Sequence, residues 1–458
     1  MKLVFGVKDK PKFGQLIIFA FQQLLAIMAA TIAVPAIVGN GMTASAALFG
    51  AGAGTIIYQL FTKFRSPGFL GSSFAFIGSM VAAFAGAVSM QVGYLGLLIG
   101  ALCAGLVYVI IALVVKFAGV KWINKLMPPV VIGPTVALIG LSLAGAAVND
   151  VFSYGPHDGN GFVMSTSAWV SFICAIVTLA VVILCSVYGK KMAKLIPFII
   201  GILAGYAVGL VFTVIGIATD NPALMVVDFA PFKALVADGV GLKTFIALPE
   251  FTFMTAIKGV KDFDMAYLAT VAVAYTPVAF VVFAEHIADH KNLSSIIEHD
   301  LLEDPGLHNT LLGDGVGSIV GAFFGGCPNT TYGESVGCVA ITGNASVVTI
   351  TTTAIMSMLV AFISPFVAFL DSIPGCVMGG VCITLYGFIA VSGLKMIQKV
   401  DLEQHSNLFT ASVILISGIG GMAMSIGKVT ITSIACALIL GILTNVMVNK
   451  ARKNSDAE

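Results

Sequence analysis

Long apolar stretches, separated by short polar connections, run along almost the entire chain. A helix needs about 20 apolar residues to cross a bilayer. The pattern predicts an all-α polytopic membrane protein with fourteen transmembrane segments, at 14–38, 46–62, 68–87, 91–116, 127–148, 167–188, 195–216, 265–288, 308–325, 329–343, 344–370, 374–394, 406–426 and 429–449. Two of these segments, 68–87 and 329–343, are interrupted by glycine and polar residues and are not simple spans.

Composition supports this fold class and narrows the classes of function. Of the 458 residues, 58% are hydrophobic and only 10% are charged, whereas a soluble domain carries about 25% charged residues. The net charge of +1 gives no reason to expect a nucleic-acid partner. The eight cysteines are scattered without a CxxC pair, so we interpret them as small core residues and predict no metal site.

The distribution of positive charge predicts the orientation of the segments. If the N-terminus lies in the cytoplasm, most of the 23 Lys and Arg residues fall in cytoplasmic connections, as the positive-inside rule requires. The exceptions on the outer side are Lys233, Lys243, Lys258, Lys261 and Lys428. Four of these exceptions share one long connection, where the rule is weakest. We therefore expect a multi-pass protein of the cytoplasmic membrane with both termini inside.

Three motifs of the first half recur in the same order in the second half. The pairs are GAGTIIY (52–58) with GVGSIVG (315–321), SSFAF (72–76) with TTYGE (330–334), and MPPVVIG (127–133) with IPGCVMG (373–379). Each half then contains seven segments, and because seven is odd the two halves have opposite orientations. Inverted repeats of this kind are typical of secondary transporters.

The interrupted segments occupy matching positions in the two repeats. We predict that 70–78 and 328–337 each form a short extended strand followed by a half-helix, and that the two face each other across the pseudo-twofold axis. The middle motif aligns Phe74 with Tyr332. Each half-helix would aim unpaired N–H groups at the membrane centre. Glu334 lies at the start of the second half-helix, and a carboxylate at that depth is a functional-site hypothesis by default.

A second polar cluster, AEHIADH at 284–290, ends the eighth segment. On a helix, Glu285 and Asp289 share one face, and His286 and His290 share another. Glu285 follows a continuous apolar run and is the stronger functional candidate. For Asp289 and His290, a helix end emerging into water remains an alternative.

The combination of two carboxylates and two half-helix ends indicates a particular ligand chemistry. Carboxylates accept hydrogen bonds from N–H groups, and backbone N–H groups donate to carbonyl oxygens. A flat cyclic imide or amide offers both, so Glu285 and Glu334 would bind its edges while Phe74 or Tyr332 packs against its faces. Because burial favours the neutral form of a carboxyl group, a neutral substrate suggests coupling to a proton, with no other cofactor.

Four motifs carry a resemblance to a known family: PNTTYGE (328–334), AEHIADH (284–290), LGSSFAF (70–76) and DPGLH (304–308). They are similar to the nucleobase–ascorbate transporter family, most closely to its bacterial uracil permeases. The resemblance covers essentially the whole chain. It implies proton-coupled import of a nucleobase, most closely uracil, by alternating access, with dimerisation as a family expectation.

The same resemblance implies a division into two domains. A core domain would comprise residues 1–125 and 250–371, and a gate domain would comprise residues 126–249 and 372–458. The fourteen segments are distributed between these domains. Dimerisation would occur through the gate domain.

The resemblance also assigns roles to residues of the site. It implies that Glu285 and Glu334 bind the base, that Phe74 and Gly333 contribute backbone contacts, and that Ala30 lies near the base.

This chain departs from the family pattern at three positions. Asp289 occupies the place where members often carry histidine, so we assign proton coupling to Glu285, Asp289 and His286. Gln23 replaces a histidine that is common in the first segment, and Ser335 replaces the usual asparagine after the second glutamate.

Three other functions were weighed. A purine symporter of the same family would keep the two glutamates. An anion transporter of the same inverted-repeat fold should need a cation at the site, but no Lys or Arg lies within 70–78 or 328–337. A membrane-embedded enzyme would need an HExxH or GxSxG type of site, and AEHIADH does not have that spacing. We therefore expect a transporter and no enzymatic activity.

Overall fold

In the computed structural model of this chain, the described residues are 3–426 and 429–455, apart from 120–121, 123–126, 154, 156, 160, 191 and 238. The described helices of the first half include α1 (Phe13–Val38), α2 (Ala44–Phe61), α3 (Ile77–Gly86), α4 (Met90–Ala118), α5 (Pro129–Ser142), α6 (Ala144–Val151), α7 (Thr166–Tyr188), α8 (Met192–Leu195) and α9 (Pro197–Ala218). A connection follows with α10 (Ala230–Ala234), α11 (Leu242–Phe245) and α12 (Thr252–Gly259).

The second half continues the same helical pattern. Its helices are α13 (Met265–Ile297), α14 (Leu307–Gly325), α15 (Gly333–Thr342), α16 (Val347–Val360), α17 (Ser364–Asp371), α18 (Gly375–Ile397), α19 (His405–Ile419) and α20 (Ser433–Ser455). The described residues contain four strands of three residues each: β1 (Leu70–Ser72), β2 (Asn329–Thr331), β3 (Met424–Ile426) and β4 (Val429–Ile431). Single turns of 3-10 or π helix lie at Phe74–Phe76, Pro222–Leu224, Val260–Asp262 and Leu302–Gly306.

The helix lengths are those of a polytopic membrane protein. In the described residues, 8 helices are long and apolar enough to cross a bilayer, and shorter apolar helices lie at Phe74–Gly86, Val347–Val360, His405–Ile419 and Ser433–Val448. The fourteen crossings and the division into core and gate domains stay predictions. The predicted domain boundary at 125/126 and the predicted outer Lys428 lie outside the described residues.

Strands β1 and β2 pair with each other in the middle of the protein, as the interrupted segments predicted. The pairing is antiparallel, with Leu70 opposite Thr331, Gly71 opposite Thr330 and Ser72 opposite Asn329. Every residue of both strands is buried. Gly71 is required here because a Cβ at this position would lie 2.3 Å from the ring of Tyr332.

The hydrogen bonds that flank the pair define the pseudo-twofold relation. The Ser73 amide donates to the Pro328 carbonyl at 2.9 Å, and the Tyr332 amide donates to the Phe69 carbonyl at 3.1 Å. Adding 259 to the residue number takes the donor Ser73 to the donor Tyr332, and the acceptor Phe69 to the acceptor Pro328. The two bonds are therefore equivalent under a pseudo-twofold axis that exchanges the strands. The same shift pairs Phe74 with Gly333. The alignment of Phe74 with Tyr332 is therefore wrong by one residue.

Glycine-lined contacts hold the two strands against their supporting helices. Helix α14 crosses α2 so closely that a Cβ on Gly50 would lie 2.4 Å from the Gly321 carbonyl oxygen. Small residues allow such close approach between membrane helices. The Asn329 side chain of β2 fits the same seam and donates to the Gly50 carbonyl at 3.0 Å. The repeated motifs 52–58 and 315–321 meet in the same way, since a Cβ on Gly54 would lie 2.7 Å from the Gly317 carbonyl oxygen.

Candidate functional site

A cavity of about 450 Å³ lies beside the strand pair, at the start of α15. That volume is within the range of small-molecule sites, roughly 300–1,000 Å³. Its wall is formed by residues from α1, α5, α7, α8, α9, α13, α15 and α18, namely Ala26, Val136, Ser186, Lys194, Leu195, Pro197, Phe198, Glu285, Ala288, Asp289, Gly333, Glu334, Gly337, Cys338, Ile341, Leu385, Phe388, Ile389, Ser392 and Met396. The cavity therefore brings together the two glutamates that the sequence predicts, from two separate helices.

The start of α15 presents backbone donors to the cavity. The chain leaves β2 through Tyr332, which has an extended backbone (φ −108°, ψ 120°), and becomes helical at Gly333. The side chain of the N-cap residue Tyr332 makes no capping hydrogen bond, and the first N–H groups of a helix have no carbonyl partner within it. Gly333 and Glu334 both line the cavity. This end can therefore donate to carbonyl or anionic oxygens of a ligand.

The opposite acidic wall comes from α13. Glu285 and Asp289, one helical turn apart, both line the cavity, as their spacing predicts. The Thr331 hydroxyl of β2 donates to Asp289 Oδ2 at 2.8 Å. A Cβ on Gly333 would lie 4.0 Å from Asp289 Oδ1, which shows how closely the two acidic elements meet.

The two histidines of the cluster lie on the other side of α13, away from the cavity. His286 Nδ1 lies 2.7 Å from Asp314 Oδ2, and His286 Nε2 lies 3.0 Å from Thr310 Oγ1. His290 Nε2 lies 2.6 Å from the Tyr58 hydroxyl. Both histidines are fully buried. Because both ring nitrogens of His286 are engaged with α14, His286 would reach a ligand only through other groups.

Three residues expected near the base are buried in helix and strand packing. Among the described residues, the cavity lining does not include Phe74, Tyr332 or Ala30. The Phe74 ring packs edge-on against Tyr386 at 5.8 Å between centroids. The Tyr332 hydroxyl donates to the Ser72 carbonyl at 2.9 Å, so this side chain clamps the strand pair. In this conformation the geometry does not bring these side chains to the ligand space.

Two positions that depart from the family pattern touch each other. Gln23 Nε2 of α1 donates to Ser335 Oγ of α15 at 2.5 Å, and both residues are buried. The bond joins α1 to the helix that carries Glu334. Sequence reasoning treated the two departures separately, because residues so far apart in the chain give no local signal of contact.

Sequence reasoning also missed Lys194 and Gly337, which line the cavity. Gly337 lies one turn after Gly333 on α15, and a Cβ there would meet no atom within 4 Å. The Gly333 and Gly337 spacing was a usable signal for an open helix face. Lys194 lies in the short α8 and is the single basic residue among the described lining residues.

Comparisons with known proteins give matches along nearly the whole chain. A family model described as a permease family matches residues 14–427. The chain is 38% identical over 449 residues to the uracil permease of Bacillus caldolyticus, with 97% of this chain and 95% of that protein covered. It is 38% identical over 456 residues to the uracil permease of Bacillus subtilis (strain 168), covering 99% and 97%. It is 34% identical over 439 residues to the uracil permease of Escherichia coli (strain K12), covering 95% and 92%.

Solved structures share the fold at low sequence identity. The transmembrane domain of the cyanobacterium bicarbonate transporter BicA aligns with a TM-score of 0.61 and 16% identity, covering 96% of this chain and 100% of that chain. The murine anion transporter Slc26a9 in its inward-facing state aligns with a TM-score of 0.62 and 12% identity, covering 97% and 69%. The chain therefore has the inverted-repeat fold of these transporters.

Proposed function

The chain belongs to this permease family, and from that premise we propose that it is a proton-coupled symporter that imports uracil across the cytoplasmic membrane. As a family member with many membrane-spanning helices, it is a multi-pass membrane permease. The choice of uracil is supported by relatives named uracil permease that match nearly the full length of the chain.

The observation that carries the proposal is the meeting of Glu285 and Glu334 with the start of α15 in one cavity. Uracil has two ring N–H groups, which carboxylates accept, and two carbonyl oxygens, to which backbone N–H groups donate. Charge-assisted hydrogen bonds of this type contribute about 1.5–3 kcal/mol each. The Gly333 position keeps the approach to these backbone donors open.

Proton coupling is proposed for the acidic side of the cavity. Glu285, Asp289 and Glu334 converge there, and three carboxylates in a confined space cannot all stay ionised at low energetic cost. A neutral base that enters with a proton lowers the charge of the site. His286 follows Glu285 in the chain, and its side chain contacts Asp314. Its proposed part in proton coupling is therefore indirect.

Alternating access is proposed from the origin of the two cavity walls. One wall comes from α1, α13 and α15, and the other comes from α5, α7–α9 and α18. Lys194, Ser392 and Met396 line the cavity near helix ends that the charge pattern assigns to the cytoplasm. This arrangement supports an inward-facing conformation, with rocking of one wall against the other. Dimerisation stays a family expectation.

Anion transport is disfavoured by the charge of the cavity. The fold neighbours include a bicarbonate transporter and an anion transporter. Here, the described cavity lining carries three carboxylates and one lysine. A carboxylate-rich wall repels an anion and suits a neutral ligand with N–H donors.

The test is uptake of labelled uracil into proteoliposomes with an imposed inward proton gradient. We expect gradient-driven uptake that unlabelled uracil blocks and that xanthine and uric acid do not block. Collapse of the gradient with a protonophore is the control. Uptake of labelled xanthine instead, with competition by purines, would reassign the substrate to the purine alternative. No uptake of any base would contradict the proposal.

A further inference from the structure

The two walls of the substrate cavity touch each other at a small apolar cluster. Leu195 of α8 packs against Ala26 of α1 and Cys338 of α15. The exposed fractions of these residues are 7%, 8% and 3%, and all three line the cavity. Their cluster is separate from the main apolar core. These three side chains, called the wall contact below, therefore join opposite walls beside the ligand space.

The wall contact lies on the cytoplasmic side of the substrate-binding carboxylates. Cys338 follows Glu334 by four residues on α15, so the two residues share one helix face and lie about 6 Å apart along its axis. Lys194, next to Leu195, is exposed and lines the same cavity. The charge pattern assigns the connection that carries it to the cytoplasm. The wall contact is thus located between Glu334 and the cytoplasmic mouth of the cavity.

The local structure around Leu195 allows this contact to be made and broken. Leu195 ends a helix of four residues, and the backbone of Ile196 leaves the helical region (φ −123°, ψ 49°) before α9 begins. Neither Leu195 nor Ala26 has a polar side-chain atom, so their side chains can separate without breaking a hydrogen bond between them. Regions held by few buried apolar contacts are the ones that open most readily.

We propose that the wall contact is the cytoplasmic gate of the substrate cavity. Leu195 moves away from Ala26 and Cys338 when the ligand leaves, and it returns when the cavity opens to the other side. An apolar constriction of this kind hinders ions and suits a flat neutral ligand. The inference rests on the proposed function, because it names the contact that alternating access must break on the cytoplasmic side.

The test joins the two walls through the native thiol of Cys338. Leu195→Cys places a second thiol opposite it. Molecular iodine takes two electrons from the thiol pair, so that an S–S bond forms and two protons and two iodide ions are released, and dithiothreitol reverses the reaction. Leu195→Cys combined with Cys338→Ala is the matched control, because the introduced thiol then lacks its partner. Labelled uracil uptake and free thiols are measured in proteoliposomes before oxidation, after oxidation and after reduction.

We expect oxidation to consume both the introduced thiol and Cys338 in the Leu195→Cys protein and to lower its uracil uptake about 10-fold, because the walls can no longer separate. Reduction should restore uptake, and the control should keep its uptake throughout. A disulfide that leaves uptake unchanged would show that the contact persists through the transport cycle. Failure to form a disulfide would show that the two residues do not meet in the membrane. Either result would overturn the proposal.

A measurement without ligand keeps the gate separate from the assignment of uracil, and it also applies if Leu195→Cys does not fold. Wild-type protein that takes up no base before oxidation would contradict the proposed function. The gate is then judged from the rate at which N-ethylmaleimide modifies Cys338 in ligand-free protein, followed by mass spectrometry.

Leu195→Ala should raise the modification rate of Cys338 about 5-fold, because it removes the side chain that covers the thiol. Cys382 of α18, which is 1% exposed and does not line the cavity, is the internal control and should react at the same slow rate in both proteins. Equal rates at Cys338 in the wild type and in Leu195→Ala would show that Leu195 does not close this side of the cavity and would overturn the proposal.

Discussion

The broken segments at 70–86 and 329–342 have nearly the same backbone, a three-residue strand followed by a half-helix. The 259-residue shift that superimposes their flanking hydrogen bonds takes Phe74 to Gly333 and Ala75 to Glu334. The first half-helix thus begins with apolar side chains, and the second begins with an open backbone and an acid. The pseudo-symmetry supplies the scaffold twice, but the ligand chemistry resides in the second copy.

The side chains around the two strands show the same difference. The shift takes Ser72 to Thr331. The Thr331 hydroxyl donates to Asp289 on α13, whereas the equivalent Ser72 hydroxyl makes no hydrogen bond to an acidic side chain among the described residues. The shift also takes Gly78 to Gly337, and only Gly337 lines the cavity. Matched substitutions at equivalent positions therefore distinguish residues that support the fold from residues that contact the ligand.

The largest effect is expected for Glu334→Gln. Loss of the carboxylate removes a charge-assisted acceptor at the start of α15, so uracil affinity should fall about 100-fold while the protein still folds. Calorimetric titration and size-exclusion chromatography measure the two properties. Glu303→Gln, in an exposed connection, is the control. Wild-type affinity in Glu334→Gln would show that the acid is not what distinguishes the second segment.

The second-largest loss of uracil affinity is expected for Gly337→Val, with Gly78→Val as its matched control. A Cβ at either glycine would meet no atom within 4 Å, so both variants should fold. Only the first places new bulk in the cavity, so we expect a roughly 10-fold loss of uracil affinity there and less than about 2-fold at Gly78. Equal losses at both positions would mean that the first half-helix also faces the ligand.

Asp289→Asn tests the acidic side chain that accepts a hydrogen bond from the second broken segment. The change keeps a side chain that can accept from Thr331 but removes a group that can carry a proton. We expect uracil uptake to depend less on external pH, with little change in thermal unfolding. Uptake is measured in proteoliposomes over a pH series, with the exposed Asp262→Asn as the control. An unchanged pH profile would limit Asp289 to a structural role.

Most of the fold could be predicted from the sequence, because apolar runs and their interruptions are local features of the chain. Apolar runs gave the helices, and the interruptions at 68–87 and 329–343 gave the strands and half-helices. The register of the repeat was wrong by one residue because small and aromatic residues match about equally well at neighbouring shifts. In a strand, one residue of shift exchanges the two faces.

The sequence predicts the placement of a site residue only where that placement depends on a single helix or strand. Helical spacing placed Glu285 and Asp289 on a common face. The partners of His286 and Tyr332 depend on distant segments, and the sequence gives no local signal of them. Burial of Tyr332 against Gly71 follows from the strand pairing and could not be read from composition.

The smallest effect is expected at the bonds that tie each half-helix to its neighbour, Ser335 in the second copy and Ser79 in the first. Ser335→Ala would leave the buried Gln23 amide without this acceptor, which costs about 1–3 kcal/mol. Ser79 donates to the Ala274 carbonyl at 2.7 Å, so Ser79→Ala removes a donor from a helix carbonyl and should cost about 0.5–1.5 kcal/mol.

Thermal unfolding of the two variants measures this difference, and Ser335→Ala should also weaken uracil binding a few-fold. Combining Ser335→Ala with Gln23→Leu removes both buried polar groups and should recover much of the lost stability. Failure of the second change to restore stability would mean that the α1–α15 bond is not what Ser335 contributes. The difference between the two broken segments would then rest on Glu334 and on the open face of α15 alone.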